Sequence, residues 1–314
     1  MDLSSYLTVP WDKHKVLSTL DDDYHENWGL QWTKFNKLQL DSYNGSSVTE
    51  DRLLNQSELN PGDFKNKVVL EIGSGNGRFT EILLRYGAKV IAVDYSSAIY
   101  ANFENHIEEV KNKNLICIRA DLFNLPVKEE KFDYVLCYGV VQHTGDNLRC
   151  LETLSNYLNY GGCLLVDIYS NSLKHYNPWI YLIRPFFSRI KGEKKKMKFV
   201  EKFVDLFFPL QLFILSFLHN KGGIFKYLKY FVNRSPNSVY GINLYLDNKI
   251  SLENAKEWSV CDTFDAWCPN HDDPVSYAKW LKMLSKIEKK YNLSRILAKE
   301  SGQGNCAVLE KELA

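Results

Sequence analysis

The amino-acid sequence predicts an α/β protein, a mostly parallel seven-stranded sheet with helices on both faces, and three observations carry that expectation. Five short apolar runs between residues 67 and 170 alternate with segments of helical period. Each run is apolar at successive positions, as in strands covered on both sides. Near the end of the chain two further strand candidates flank a glycine-rich break, the pattern of a closing hairpin.

Residues 1–64 come first and are polar and aromatic, punctuated by Trp11, Trp28 and Trp32, with short helical segments and no strand pattern. They read as an N-terminal cap. The core occupies 65–170, with strands expected at VVLEI (68–72), KVIAVD (89–94), LICIRAD (115–121), FDYVLCYG (132–139) and GCLLVDIY (162–169). Helical spacing fills 78–86, 97–113 and 147–158 between them. After Ser170 the alternation stops, and 171–252 is aromatic, basic and helical in pattern, an inserted lid or substrate region. Residues 253–314 return to the core with a substrate loop, a helix over 274–291, and strands at 293–300 and 305–312 about the Gly302-Gln303-Gly304 turn.

Composition excludes several classes. With 45% hydrophobic residues and a formal net charge of +1, the chain is far from the signature of disorder and has no overall pull toward polyanions. Its seven cysteines are scattered and form no C-x-x-C pair, which argues for reduced thiols and against structural zinc. No metal ligand set is expected. The N-terminus lacks the basic start and apolar stretch of a signal peptide, so a soluble protein in the cytoplasm is the default expectation.

The strongest motif is LEIGSGNGRF at 70–79, where a strand runs into Gly73, Ser74, Gly75, Asn76 and Gly77 and then into a helix. Glycines let backbone turn sharply and approach a ligand, and the helix start offers free N–H donors. A dinucleotide fingerprint needs glycine at position 78, where Arg78 stands. Glu71 leads the glycines instead, where an acid can meet a cationic ligand. Asp94 ends the next strand and suits the hydroxyls of a ribose; Asp121 ends the third and suits an adenine edge. Three acids on successive strand ends describe a crevice for a nucleoside with a positive charge.

Together EIGSGNG, VDYS, RADLFNLP, FDYVLCYGVVQHT and LNYGGCLLVDIY resemble the class I S-adenosylmethionine-dependent methyltransferase family, with a Rossmann-like core, over roughly 67–170 and the strand pair 293–312. The resemblance implies S-adenosyl-L-methionine as cofactor. It implies that Glu71 and Gly73 to Gly77 hold the methionine end, Asp94 with Tyr95 and Ser96 the ribose, and Asp121 with Leu122 the adenine. Tyr138 and Gly139 then line the fourth-strand loop under the sulfonium. NWGLQWTKFNKLQLD (27–41) is similar to the segment preceding the core in bacterial members, where Trp32 is either a cofactor contact or an anchor of the cap. DTFDAWCPNHDDP (262–274) is similar to their acceptor loop, which implies substrate contacts for Asp265, Trp267 and His271.

Methyl transfer needs alignment of the two reactants and, for a hydroxyl or protonated amine, a base of near-neutral pKa beyond the fourth strand. His143 in VVQHT meets that description, although a histidine there also serves to cap the following turn. Tyr169 on the fifth strand is placed to assist. The absence of a Pro-Cys pair after the fourth strand removes the covalent route to cytosine C5, and the absence of Asp-Pro-Pro-Tyr disfavours exocyclic adenine.

Residues 184–234 hold twelve Lys or Arg against three acids, interleaved with Phe, Tyr and Leu. A lid packed on the core, a homo-oligomer surface and a peripheral membrane contact all suit that pattern. The leading expectation is a methyltransferase for a small-molecule or saccharide acceptor, oxygen before nitrogen. Nucleic acid ranks low as a partner because no RNA-binding module is visible; a tRNA or protein methyltransferase and an inactive partner subunit are the alternatives.

Overall fold

The computed structural model describes residues 2–20, 26–172, 177–268, 272–302 and 304–313, with the side chains of 26–28 left aside. Its strands are β1 (Leu17–Ser18), β2 (Val68–Ile72), β3 (Lys89–Asp94), β4 (Leu115–Arg119), β5 (Phe132–Cys137), β6 (Leu158–Ile168), β7 (Leu293–Ser301) and β8 (Gly304–Lys311). They form one sheet in the order β1-β4-β3-β2-β5-β6-β8-β7, parallel except where β8 runs against both β6 and β7. From β2 the chain winds outward to β3 and β4, then returns to the other side of β2 for β5 and β6. That reversal opens a crevice at the carboxyl ends of β2 and β5, where open α/β sheets bind ligands.

The expected strands form because their alternate residues bury on opposite sides. Val68, Leu70, Ile72, Ile91 and Val93 face one core, completed by Leu3 from the cap and by Trp280 and Leu284. Val69, Val90, Ala92, Leu136 and Val308 face the other, with Phe64, Phe79, Ile82 and Leu83. An eighth, two-residue strand was not expected in the cap. Leu17 and Ser18 pair with Ile118 and Arg119, a stretch too short to show any period.

The helices are α1 (Glu26–Lys34), α2 (Asp41–Asn44), α3 (Val48–Ser57), α4 (Arg78–Arg85), α5 (Ala98–Asn105), α6 (Ile107–Lys111), α7 (Asn147–Asn156), α8 (Pro178–Phe187), α9 (Glu193–Leu218), α10 (Phe225–Val232), α11 (Tyr240–Leu246), α12 (Leu252–Trp267) and α13 (Tyr277–Tyr291). Two differ from expectation. The single helix expected over 97–113 breaks at His106, which has left helical geometry at φ −121°, ψ 30°. The loop expected from 262 is the last part of α12, started by Ser251, whose hydroxyl accepts the Asn254 N–H at 3.1 Å. From Trp258 to Trp267 no residue of that helix is exposed, so this part of its sequence lacks a polar stripe.

The insert shares a further core with α12 and with Phe35, Leu38 and Val48 of the cap. Val200, Val204, Phe208 and Leu215 of α9 meet Ile242, Trp258 and Phe264. Inside it Gln211 and Asn237 exchange reciprocal amide hydrogen bonds of 2.7 and 2.8 Å. The outward side of α9 and α10 leaves Leu206, Phe213 and Phe231 about 70% exposed (73%, 73% and 69%). Among the described residues, no helix is long and apolar enough to cross a membrane.

Candidate active site

Beyond β2 the backbone enters a turn that only small residues fit. Gly73 has φ +71°, and a Cβ there would lie 2.1 Å from Val140 Cγ2, so glycine lets the tips of β2 and β5 close together. The Gly73 and Ser74 N–H groups donate to Val93 O at 2.8 and 3.1 Å. Asp94 then braces the turn: its Oδ2 accepts the Gly75 N–H at 2.8 Å, and its Oδ1 accepts the N–H and hydroxyl of Ser96 at 2.8 and 2.7 Å. Asp121 accepts the Phe123 N–H at 2.9 Å and so starts the short turn at Leu122.

Facing this wall, Tyr138 and Gly139 follow β5. The Gly139 N–H donates to Asp167 Oδ1 at 2.5 Å, and Asp167 Oδ2 pairs with Arg52 of α3 at 2.7 Å. His143 stands edge-on to the ring of Tyr169, centroids 5.7 Å apart at 86°. Burial pushes the Tyr169 phenol upward, with Asp265 adding to the shift, so it remains a donor at neutral pH. From α12, Asp262 and Asp265 project one helical turn apart. Burial pushes each carboxyl up to about 7, against the pull of Arg78 on the first and of His143 on the second.

These two walls enclose a cavity of about 1030 Å³, at the upper end of the roughly 300–1,000 Å³ that hold one ligand. It has room for two reactants. Trp32, Gly73, Ser74, Gly75 and Asn76 line it, as do Asp94, Tyr95, Ser96, Asp121 and Leu122. Tyr138, Gly139, His143, Tyr169 and Asp265 line its other half. Trp32 covers the glycine turn, since a Cβ at Gly75 would lie 3.7 Å from its indole.

Three expected residues are placed elsewhere. Glu71 is buried beneath the turn rather than on the cavity wall, its Oε2 taking the Thr80 hydroxyl at 2.5 Å. Burial pushes that carboxyl up to about 8. Gly77 serves packing: a Cβ there would lie 2.3 Å from Asn102 Oδ1 and 2.6 Å from His106 Cε1, so the glycine lets α4 approach α5. Trp267 belongs to the core that the insert shares with α12, enclosed by Phe187 and Phe203 with its Nε1 donating to Pro236 O at 3.1 Å. His271 lies outside the described residues, as does Gln303 of the expected hairpin turn.

Several residues of the cavity went unread in the sequence. Among them, Arg52 and Gln39 come from the cap, Tyr240 from the insert and Asp262 from α12, segments whose polar residues carry no periodic signal. The site fits an adenosyl sulfonium. Two carboxylates and a turn rich in backbone N–H suit a polar nucleoside, and the buried Ser74 Oγ has no hydrogen-bond partner among the described residues.

Fold and site together fit the class I S-adenosylmethionine-dependent methyltransferase fold. Residues 70–166 match the sequence profile of the methyltransferase domain family. Over 114 residues it is 30% identical to the ubiquinone biosynthesis O-methyltransferase of Coxiella burnetii, covering 36% of this chain and 48% of that protein. Over 106 residues it is 33% identical to the tRNA U34 carboxymethyltransferase of Campylobacter hominis, covering 33% and 37%. The chain thus spans less than half the length of these curated relatives. Among solved structures, PKMT2 from Rickettsia typhi in complex with AdoHcy aligns over 85% of this chain and 53% of that one, at 13% identity and a TM-score of 0.47.

One expectation is overturned here. Nucleic acid ranked low as a partner for want of a visible binding module, yet three relatives 29–33% identical to this chain over the matched residues are tRNA U34 carboxymethyltransferases. The core holds the cofactor and says little about the acceptor, so a missing module is no ground for excluding RNA.

Proposed function

We propose that the protein transfers a methyl group from S-adenosylmethionine to an oxygen, or next to a nitrogen, of a small-molecule or saccharide acceptor. The observation that carries this reading is a single cavity whose one wall is the glycine turn with Asp94 and Asp121, and whose other is roofed by Tyr240 of the insert and by Trp258, Asp262 and Asp265 of α12. S-adenosylmethionine supplies an electrophilic methyl group. The protein has to align the acceptor, take its proton and keep water out. In this reading the glycine turn, braced by Asp94, receives the methionine end, and Asp94 and Asp121 bind the nucleoside. His143 takes the acceptor proton; imidazole is the side chain that ordinarily titrates near neutrality. Asp265 steadies the charge His143 gains, and the Tyr169 phenol donates to the acceptor.

A second reading, methylation of a nucleic-acid base, is favoured by the tRNA-named relatives and by the basic insert. Calorimetry with S-adenosylhomocysteine and NAD tests the cofactor; binding of NAD alone would reverse the assignment. Incorporation of labelled methyl into panels of saccharides, phenols and tRNA transcripts then separates the acceptors.

A further inference from the structure

Four long cations line the cavity, and three have carboxylate partners. Arg52 pairs with Asp167 at 2.7 Å, Arg184 with Asp272 at 2.8 Å and Lys249 with Asp51 at 3.6 Å. Arg78 differs. Its Nη1 donates to Gln39 Oε1 at 2.8 Å and its Nε is buried without a partner, which leaves the Nη2 side for a ligand. Among the described residues no carboxylate comes within ion-pair distance of it. Asp262 and Asp41 act on it only from farther away, while burial, and then the nearby charge of Arg52, lower its pKa to about 10. A buried cation without a counter-ion is costly, and proteins keep one where a ligand brings the missing charge.

We propose that Arg78 and Gln39 form an oxyanion-binding corner of the cavity that receives a carboxylate. The planar guanidinium, with one nitrogen already fixed by Gln39, presents an oriented edge suited to a planar acid. Two reactants can bring that group: the amino-acid end of the cofactor, or an acid on the acceptor itself. The second source rests on the functional reading above; the corner as such does not.

The test uses the full-length protein with Arg78→Gln, and Arg78→Lys as a second variant that keeps the charge without the fork. Benzoate, and not benzamide, should raise the melting temperature of the wild type and leave Arg78→Gln unmoved. Affinities for S-adenosylhomocysteine and for 5′-methylthioadenosine, which lacks the amino-acid end, locate the source. If the cofactor fills the corner, the wild type prefers the former by about 10- to 100-fold, the worth of a charge-assisted bond, and Arg78→Gln loses the preference. If the acceptor fills it, that preference survives in Arg78→Gln and benzoate still stabilises the wild type with S-adenosylhomocysteine bound. Equal responses of wild type and both variants to benzoate, with an unchanged nucleoside preference, overturn the proposal. A protein that responds to benzoate through Arg78 but binds no S-adenosylhomocysteine would overturn the methyltransferase reading and leave the corner standing.

Discussion

His143 and Asp94 separate the two tasks of the cavity at the level of single side chains. Replacing His143 by Ala removes the proposed proton acceptor without touching the glycine turn. Turnover should fall by about 10²-fold or more while the dissociation constant for S-adenosylhomocysteine stays nearly constant. Retained turnover would remove His143 from the chemistry. Asp94→Ala does the reverse, because it strips the brace from Gly75 and Ser96. Cofactor affinity should drop by about 10- to 100-fold by calorimetry. Arg52 carries a structural burden instead. Breaking a buried ion pair from one side costs about 3–5 kcal/mol, so Arg52→Met should melt well below Arg52→Met/Asp167→Leu, in which both partners of the 2.7 Å pair are gone. Equal melting temperatures would show that the pair is not coupled.

Helix α12 is the element whose behaviour depends most on pH. Asp262 and Asp265 sit on one face of it with carboxyls pushed up to about 7, far above the value of an unfolded chain. A folded-state pKa raised in this way contributes stability that is fully present below about pH 4 and is lost as pH rises through about 7. Asp262→Asn should therefore raise the melting temperature at pH 8, by about 2 °C or more for each kcal/mol relieved, and make no difference at pH 4. Thermal melts across pH 4–8 that run parallel for wild type and variant would exclude the effect. The same helix marks where sequence reading ended. Strands β2, β3 and the start of β4 were legible to the residue because both their faces are apolar, and α4 because its apolar positions recur on one side. In the second half of α12 no residue is exposed, so a helix read as a loop, and Asp262 was passed over although its motif had been noticed. Arg52 left no trace either: VTEDRLLNQS is a polar helix, and only the fold shows that one of its residues turns inward.

Taken as a whole, the molecule places the glycine turn, Asp94 and Asp121 at the ends of the sheet's strands, and Tyr240, Trp258, Asp262 and Asp265 on helices outside the sheet. That division explains why Asp94 and Asp121 were readable and Tyr240 and Asp262 were not: apolar runs mark the strand ends, and the helices carry no such mark. It also bears on how the protein is made. Strand β6 carries Asp167 and Tyr169 follows it, yet its outer neighbour is β8, whose residues 304–311 emerge from the ribosome after some 135 more residues have been translated. Until then β6 is an open edge, and the floor under His143 has no lateral support. A nascent chain halted near residue 292 should therefore be captured by chaperones or precipitate, even though every residue of the glycine turn has long been in place.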